Sequence, residues 1–439
     1  MRLITNLYIL LPISLAFAEQ PNLLIVSIDT LRADHLGCYG YTRPTSPNID
    51  RLAKEGARLR TMICENPVTG PSFCSIMTSV SSHRHGCKRN GLPMRWDGQT
   101  LAQILKERGY STAAIISNWT LRKKFTMLDR GFDLYDETFT RKRWFGVYLN
   151  ELPADKVNLQ AFKWLKLRPG RPFFLWVHYT DPHAPYTHHA EFDRRLLAAE
   201  KYPKKDIHHY DSEIAFSDKH LGAFLQRFRK LGLDRNTLTV FVGDHGEAFG
   251  EHGYEGHGRR VHEPGIRVPC IFRYPGVIKP GKLACLTQTL DILPTILDVL
   301  GIKELDGIEG MSLKEALIGS ANIPERQLFS QAYIGFAPSV LTRKSGPRRG
   351  LPRQLCLRDT RYKCVFTPRK GKIEFFNLQN DPRELTDLSK TDPVLVGAYV
   401  RTLMTYFKEI DATIRKKGTT EIRLTQEEVD RLKSLGYIE

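Results

Sequence analysis

Four side chains of metal-ligand type stand where a strand ends or a helix begins. Asp29 follows the apolar run NLLIVSI (22–28), Asp244 and His245 follow a second apolar run, and Thr69 precedes an apolar helical stretch. Oxygen donors combined with one imidazole suit a divalent cation. A single aspartate at a strand end is more often a helix cap or a turn residue. Taken together, the four predict a metal site formed by Asp29, Thr69, Asp244 and His245.

The segment Thr69-Gly70-Pro71-Ser72 has the features of a helix start. Pro71 fits the first helical position, so the Thr69 hydroxyl would lie where backbone N–H groups point outward and bind anions. A metal-coordinated hydroxyl in that position attacks phosphorus or sulfur. The alternative is an ordinary N-terminal helix cap. We predict Thr69 as the catalytic nucleophile.

Two histidines in polar segments supply further imidazoles. His183 lies in DPHAPY and His257 lies in EGHGRR. Such side chains either complete a second metal site or stabilise the transferred oxyanion, and both roles place them opposite Thr69. We predict catalytic roles for His183 and His257.

The tract HRHGCKRNG follows the predicted Thr69 helix. It offers Arg84, Lys88 and Asn90 for contacts with an anionic substrate. A solvated loop is the alternative interpretation, because a short charged tract is compatible with either.

Apolar runs of strand length alternate with helical patterns along most of the chain. The runs at 22–28, 112–116, 173–177 and 237–242 are typical of buried strands, and 207–231 has helical apolar spacing. This alternation predicts an α/β fold, with a mostly parallel sheet flanked by helices. Such sheets form their sites at the carboxyl ends of the strands.

The pattern changes in the last quarter of the chain. The basic tract 339–353, which contains glycine and proline, is typical of a mobile loop or a domain joint. Strand-like segments at 354–366 and 372–377 follow, and then a helical segment. We therefore predict a catalytic domain at 19–338 and a small C-terminal α+β domain at 339–439.

The first 18 residues are typical of a secretory signal peptide. They have a positive charge at Arg2, an apolar run and the small-residue pattern Ala16-Phe17-Ala18. An uncleaved anchor is the alternative, but the run is shorter than the roughly 20 residues that span a bilayer. We predict a secreted or periplasmic protein with no transmembrane span after signal removal. Its eight cysteines are compatible with disulfides but prove none.

The formal net charge of +17 limits the partners. A basic exported protein attracts anionic partners, such as sulfated or phosphorylated glycans or lipid headgroups. The chain has no zinc-finger spacing, RNA-binding signature or basic zipper. We therefore expect an anionic ester substrate and no nucleic acid.

Several longer motifs resemble the sulfatase family of the alkaline phosphatase superfamily. They are NLLIVSIDTLRADHLGCYGYTRPTSPNIDRLAKEGARL, DPHAPY, GDHGEAFGEHGYEGHG, RVPCIFRYPG and FFNLQNDPRELTDL, and they extend over nearly the whole mature chain. The resemblance implies an alkaline-phosphatase-like core, a small C-terminal domain, a divalent metal site and hydrolysis of sulfate or related esters.

The sequence departs from the family at its most diagnostic positions. Typical sulfatases have the pattern C/S-x-P-S-R, in which the first residue is oxidised to formylglycine, whereas this chain has Thr69 and Phe73 at the two ends of that pattern. Threonine cannot give the aldehyde because its carbinol carbon carries a methyl group, so no formylglycine is expected. The tandem acid pair after the first strand is reduced to Asp29-Thr30.

These departures resemble the phosphoglycerol and phosphoethanolamine transferases of the same superfamily, which use a phospho-threonine. The resemblance makes zinc or manganese candidates for the metal beside the calcium of typical sulfatases. We predict a metal-dependent hydrolase or transferase of sulfate or phosphate esters, in which Thr69 favours phosphorus. The alternative is a non-catalytic sulfatase-like protein that binds a sulfated glycan or another polyanion.

Overall fold

A computed structural model of the chain describes residues 20–144, 147–168, 170, 172–199, 204–303, 305–333 and 350–417. The predicted signal peptide, most of the tract 339–353 and the C-terminal tail beyond residue 417 lie outside the described residues. Among the helices described, none combines the length and apolar character needed to cross a membrane.

The strands form one large mixed sheet, a four-stranded sheet and two separate pairs. Their bounds are β1 (Asn22–Ile28), β2 (Ala57–Ile63), β3 (Ser111–Ile115), β4 (Leu134–Asp136), β5 (Thr140–Trp144), β6 (Val147–Glu151), β7 (Phe173–Tyr179), β8 (Thr237–Gly243), β9 (Ala248–Phe249), β10 (Glu255–Gly256), β11 (Arg267–Val268), β12 (Cys270–Arg273), β13 (Gly281–Gln288), β14 (Leu328–Ala332), β15 (Gln354–Arg358), β16 (Tyr362–Thr367) and β17 (Lys372–Asn377).

The large sheet has nine strands in the order β11-β2-β12-β8-β1-β7-β3-β4, and β13 pairs with β2. The strands from β8 through β1, β7 and β3 to β4 run parallel to one another. On the other side, β12 runs antiparallel to both β8 and β2. The predicted α/β fold with a mostly parallel sheet is confirmed, and the antiparallel strands are confined to one side.

Helices connect and cover these strands. They are α1 (Pro47–Glu55), α2 (Thr69–Thr78), α3 (Ser82–His85), α4 (Leu101–Glu107), α5 (Lys123–Thr126), α6 (Ala154–Leu167), α7 (Asp193–Ala199), α8 (Lys205–Lys230), α9 (Glu263–Ile266), α10 (Ile292–Val299), α11 (Lys314–Ile318) and α12 (Pro393–Lys417). A capping box starts α4, because the Thr100 hydroxyl accepts the Gln103 N–H and the Gln103 side chain accepts the Thr100 N–H.

Two hydrophobic layers cover opposite faces of the central sheet. In β1, Leu23 and Ile25 pack with residues of α2, α4 and α10, whereas Leu24 and Val26 pack with residues of α1, α6 and α8. This alternation follows from the two-residue period of a strand. The central strands are buried on both faces, which explains their continuous apolar runs.

The C-terminal part is a smaller antiparallel sheet covered by one helix. Strands β14 to β17 pair in sequence order, and α12 contributes Leu403 and Ile410 to the core beneath them. The first of these strands, Leu328–Ala332, precedes the predicted domain boundary at residue 339, so the small sheet takes one strand from the segment predicted as catalytic domain. All eight cysteines are free thiols.

Candidate active site

The candidate site lies at the carboxyl ends of β1 and β8, two neighbouring strands at the centre of the sheet. In their parallel register Ile28 pairs with Gly243, so the next residue of each strand, Asp29 and Asp244, emerges beside the other. Both side chains fall on the sheet face that packs against α2, because strand residues alternate between faces. The fold therefore brings two carboxylates together from distant parts of the chain.

Helix α2 brings Thr69 to these carboxylates. Val68 is the N-cap and Thr69 is the first helical residue. The helix therefore begins two residues before Pro71, the residue that the sequence predicts at the first helical position. Instead of capping the helix, the Thr69 Oγ1 lies 3.2 Å from Nε2 of His245 and 3.5 Å from Oδ1 of Asp29. The hydroxyl is therefore directed at the acidic cluster.

The first turn of α2 is held on two sides. The Gly70 N–H donates to Oδ1 of Asn90 at 2.9 Å, and the Ser72 hydroxyl donates to the Asp244 carbonyl at 2.7 Å. A Cβ at Gly70 would lie 2.8 Å from that Asn90 oxygen, so the close approach requires glycine. These contacts fix the position of Thr69 relative to Asp244.

Asp29, Asp244 and His245 form a buried group whose ligand atoms all lie within 4.8 Å of one another. Nε2 of His245 is 3.6 Å from Oδ1 of Asp29 and 3.5 Å from Oδ2 of Asp244. The Thr30 N–H and the His245 N–H both donate to Oδ1 of Asp244. Its other oxygen, Oδ2, has no hydrogen-bond partner among the described residues.

The electrostatics of the group favour a cation. Burial raises the pKa of Asp244 well above its usual range, and the charge of Asp29 raises it further. Burial also opposes ionisation of Asp29, but the adjacent His178 ring and the imidazoles of His183 and His245 lower its pKa overall. Two desolvated carboxylates side by side repel each other, and one of them takes up a proton unless a positive charge separates them.

His245 offers a lone pair to the same point. Burial, together with neighbouring His257, lowers the pKa of His245 to about 3, so its imidazole is neutral. Nδ1 lies 3.0 Å from the Gly246 carbonyl, which only accepts, so the proton is on Nδ1 and Nε2 is unprotonated. Nε2 faces Thr69 and the carboxylates.

This donor set fits a divalent cation. Two carboxylates, one hydroxyl and one imidazole nitrogen are ligands that zinc and manganese accept. A bound cation would also give the unpartnered Oδ2 of Asp244 the partner that a buried acceptor needs. The structure brings the four predicted ligands together, and their role in metal binding stays a prediction.

His183 and His257 lie beside the group. The His257 ring centroid is 4.5 Å from that of His245 and 5.3 Å from that of His183. Nδ1 of His257 is 3.2 Å from Oε1 of the buried Glu247. Burial lowers the pKa of His257, but the Glu247 carboxylate outweighs it and raises the pKa above the usual value. Burial lowers the pKa of His183.

A cavity of about 440 Å³ opens next to these two histidines. Aromatic side chains, including Tyr186 and Phe249, line it together with the charged residues Lys204 and Arg259. Its size suits a sugar-sized or similar group. The space therefore lies on the side of the site where His183 and His257 would face a leaving group.

The three residues predicted to contact substrate differ in position. Asn90 accepts the Gly70 N–H in the first turn of α2, and its Nδ2 is buried without a hydrogen-bond partner among the described residues. Lys88 Nζ lies 3.4 Å from the Gly350 carbonyl, and burial lowers its pKa to about 8.

Arg84, the third of these residues, contacts residues outside the acidic cluster. Its guanidinium pairs with Glu309 at 2.9 Å and donates to the Gly307 carbonyl. These contacts hold the side chain at a partly exposed position. The substrate roles of all three residues stay predictions.

Sequence reasoning missed two neighbours of Asp29. The Asn118 amide donates to Oδ2 of Asp29, and the Thr120 N–H and hydroxyl donate to Oδ1 of Asn118, which fixes the amide orientation. Nε2 of His178 lies 3.6 Å from the same Asp29 oxygen. In the sequence, only the position of Asn118 just after the predicted strand 112–116 indicates that it could lie near the site.

A second group of metal-ligand type lies nearer the surface, where Nε2 of His188 and Nε2 of His208 each lie 2.8 Å from Oδ1 of Asp193. The Arg43 guanidinium, which only donates, lies 2.7 Å from Nδ1 of His208. Nδ1 must therefore accept, and the proton on Nε2 faces Asp193. A protonated nitrogen is not a metal ligand, so the group is best described as a hydrogen-bonded ion-pair cluster.

The helix-flanked, mostly parallel sheet and the smaller antiparallel sheet that follows it place the chain in the class of proteins with the alkaline-phosphatase-like fold. More specifically, the chain belongs to the sulfatase family. The family model "Sulfatase" matches residues 21–302, and the model "N-sulphoglucosamine sulphohydrolase, C-terminal" matches residues 250–395.

Individual relatives agree with this assignment. An ulvan-active sulfatase of Formosa agariphila is 26% identical over 435 residues, covering 91% of this chain and 81% of the relative. A solved structure in complex with its substrate D-glucosamine-2-N,6-O-disulfate has a TM-score of 0.70 at 21% identity and covers 91% of this chain and 99% of its own. The phosphonate monoester hydrolase of Silicibacter pomeroyi has a TM-score of 0.68 at 20% identity and covers 93% and 100%.

Proposed function

We propose that this protein cleaves sulfate or phosphate esters with Thr69 as nucleophile and a divalent cation held by Asp29, Thr69, Asp244 and His245. The observation that carries the proposal is the position of the Thr69 hydroxyl, which lies within 3.5 Å of both Asp29 and His245. A buried threonine hydroxyl normally bonds a backbone carbonyl, as Thr78 of the same helix does with Cys74 at 2.6 Å. Thr69 instead joins the predicted ligands.

The cation would favour the deprotonated form of the Thr69 hydroxyl and offset negative charge on the transferred group. Zinc, manganese and calcium are the candidates. The chain's own residues supply the rest of the site. The start of α2 directs its helix dipole at the incoming anion, and the buried surroundings strengthen that field.

His257 and His183 are proposed to act on the opposite side of the transferred group. Nδ1 of His257 is next to Glu247, and the pKa raised by this carboxylate favours a protonated ring that can act as an acid. Nδ1 of His183 lies 2.7 Å from the Ala184 carbonyl, which places a proton on Nδ1. The pair would contact the transferred group and the leaving oxygen from the 440 Å³ cavity.

The reaction balances in two displacements. In the first, the Thr69 hydroxyl would have lost its proton to solvent on binding the cation; its Oγ1 forms a bond to phosphorus or sulfur, the ester bond breaks, and the leaving oxygen receives a proton from His257. In the second, water or an acceptor alcohol attacks the same centre, its proton passes to His257, and Thr69 is released in its deprotonated form. Phosphorus suits this route because an activated water can hydrolyse a phospho-threonine, whereas a sulfo-threonine needs another means of release.

The test compares substrate classes on purified mature protein. Aryl sulfate, aryl phosphate monoester, aryl phosphonate monoester and aryl phosphodiester are assayed with added zinc, manganese or calcium and after chelation. We expect metal-dependent turnover of at least one phosphorus ester, its loss in Thr69→Ala, and a phosphate adduct on Thr69 detectable by mass spectrometry. Unaltered turnover in Thr69→Ala would exclude the covalent route. Absence of turnover and of bound metal, together with tight binding of a sulfated glycan, would favour the non-catalytic alternative.

A further inference from the structure

The two oxygens of the Asp29 carboxylate have different surroundings. Oδ1 faces Thr69 and His245, which belong to the proposed metal group. Oδ2 faces Asn118 and His178, which do not. A carboxylate that gives one oxygen to a cation is usually oriented by hydrogen bonds to the other oxygen. The contacts of Oδ2 with Asn118 and His178 are therefore as specific as those of Oδ1 with the proposed metal group.

His178 is placed next to Asp29 by strand pairing. It lies in β7, directly opposite Ser27 of β1, two residues before Asp29. Its side chain is fully buried. Among the described residues Nε2 has no hydrogen-bond partner, and Asp29 Oδ2 at 3.6 Å is just beyond hydrogen-bond range. A buried ring nitrogen without a partner is unfavourable, and a small movement of the carboxylate would satisfy it.

The hydrogen bonds of Ser27 and Trp176 determine which ring nitrogen of His178 carries the proton. The Trp176 indole N–H, which only donates, gives its proton to Ser27 Oγ at 2.8 Å. The Ser27 hydroxyl lies 2.9 Å from Nδ1 of His178 and can donate its own proton there. Nδ1 is then the acceptor, and the neutral imidazole carries its proton on Nε2. The chain of donors runs from Trp176 through Ser27 and His178 toward Asp29.

Phe73 separates this chain of donors from solvent. Its ring centroid lies 4.8 Å from Trp176 and 4.9 Å from His178, and the phenyl group is fully buried. Phe73 is also the position at which the typical sulfatase pattern has arginine. With this apolar ring on one side, His178 faces Oδ2 of Asp29 at 3.6 Å, beside Asn118.

We infer that His178 is a positioning residue, which donates its Nε2–H to Oδ2 of Asp29 and so directs Oδ1 to the metal. The inference rests on the proposed metal site. It differs from a ligand role for His178, because the ring meets the oxygen that faces away from Thr69 and His245. Ser27 and Trp176 act through His178 by fixing the side of the ring that bears the proton.

Two polar substitutions of similar size separate this role from simple packing. In His178→Gln the amide NH₂ reaches the former Nε2 position, whereas in His178→Asn it reaches only the Nδ1 position. Metal affinity is measured by isothermal titration calorimetry, in which zinc or manganese is added to protein that a chelator has freed of metal. We expect His178→Gln to keep the wild-type Kd within about threefold and His178→Asn to weaken it by about 10–100-fold, the range for residues that orient a metal ligand. Ser27→Ala should change the Kd in the same direction by a smaller factor.

A buried histidine outside the group serves as the matched control. Nε2 of His85 lies 3.1 Å from Ser75 Oγ, and Nδ1 of His85 accepts the Cys87 N–H. His85→Asn should lower the thermal midpoint of the chelated protein and leave the metal Kd unchanged. If His178→Asn and His178→Gln bind metal equally well, or if His85→Asn weakens binding as much as His178→Asn, the inference is wrong.

A spectroscopic measurement tests the ligand alternative. Electron spin echo modulation of the manganese-loaded protein reports imidazole nitrogens bound to the ion. We expect the same nitrogen couplings in the wild type and in His178→Gln, and loss of one coupling in His245→Gln. Loss of a coupling in His178→Gln would overturn the inference by making His178 a ligand. Absence of metal binding by the wild type would instead defeat the proposed function.

Discussion

The Thr69 hydroxyl lies 3.2 Å from Nε2 of His245, although the two residues are 176 positions apart in the chain. Because Nε2 of His245 is unprotonated, the free protein pairs the hydroxyl proton with that lone pair. A bound cation would take both atoms as ligands. This contact couples the proposed nucleophile to the end of β8.

Removal of the Thr69 hydroxyl should abolish turnover with little loss of stability. Thr69→Val keeps the shape of the side chain, and we expect kcat/KM for the best ester substrate to fall on the order of 10³-fold or more. Thr69→Ser keeps the hydroxyl and should retain measurable turnover. Thr78→Val is the matched control, because it removes a buried hydroxyl from the same helix away from the cluster. Equal losses in Thr69→Val and Thr78→Val would indicate damage to the helix.

Asp244→Asn should abolish metal binding and raise the melting temperature of the metal-free protein. The folded-state pKa of Asp244 lies above its ordinary value near 3.8, so its contribution to stability is present below that pH and is lost as the pH rises. At pH 7, chelated Asp244→Asn should therefore melt at a higher temperature than the chelated wild type. Metal at 100 times Kd should stabilise the wild type by about 2.7 kcal/mol and leave the variant unchanged.

Asp193→Asn is the control for this measurement, since Asp193 belongs to the ion-pair cluster with His188 and His208. It should retain the metal-dependent rise in melting temperature. If Asp244→Asn still bound metal with wild-type affinity, or if Asp193→Asn lost binding, the metal site would be the cluster of Asp193, His188 and His208 instead.

The continuous apolar runs made the central strands predictable. Strand β1 has the predicted bounds 22–28, and its carboxyl end delivers Asp29 as expected. Strand β7 was predicted to end at Val177, but it continues to Tyr179, because Ser27 and Ile28 of β1 pair with its last two residues. This correction moves His178 from a polar loop into the sheet.

The contacts of Asp29 with Asn118 and His178 depend on which strands are neighbours. A single sequence gives the strands but not their order, so it could not place β7 beside β1 or the end of β3 near both. Strand β2 was also missed, because ARLRTMI interrupts its apolar residues with arginines. One of these, Arg58, is nevertheless buried and stacks over the Tyr39 ring at 4.4 Å.

Glu65 should make the stability of the fold depend on pH. Burial raises the pKa of this carboxyl from 4.5 to about 7, while the Ser75 hydroxyl on α2 donates to it at 3.1 Å. Its contribution to stability is fully present below pH 4.5 and is lost as the pH rises through 7. Glu65 alone should therefore lower the free energy of unfolding of the metal-free protein over this window by an amount on the order of 3 kcal/mol, in addition to the effect of Asp244.

Glu65→Gln should make the fall in stability with rising pH smaller than in the wild type, since the amide does not ionise. Urea unfolding at a series of pH values measures the effect. Glu191→Gln, which removes an exposed carboxylate, should reproduce the wild-type profile. A Glu65→Gln profile parallel to that of the wild type would show that another group carries the pH dependence.

Phe73→Arg restores the arginine of the typical sulfatase pattern and should still be harmful. The Phe73 side chain is fully buried between Trp176 and His178, and no space is left there for a hydrated guanidinium. We expect the free energy of unfolding to fall by about 3–5 kcal/mol, the usual penalty for an uncompensated buried charge, and Phe73→Leu to lose less. Denaturant unfolding of the chelated variants measures both. If Phe73→Arg were as stable as the wild type, Asp29 would have accepted the guanidinium as a partner, and the neutral environment of His178 would not be a requirement of this site.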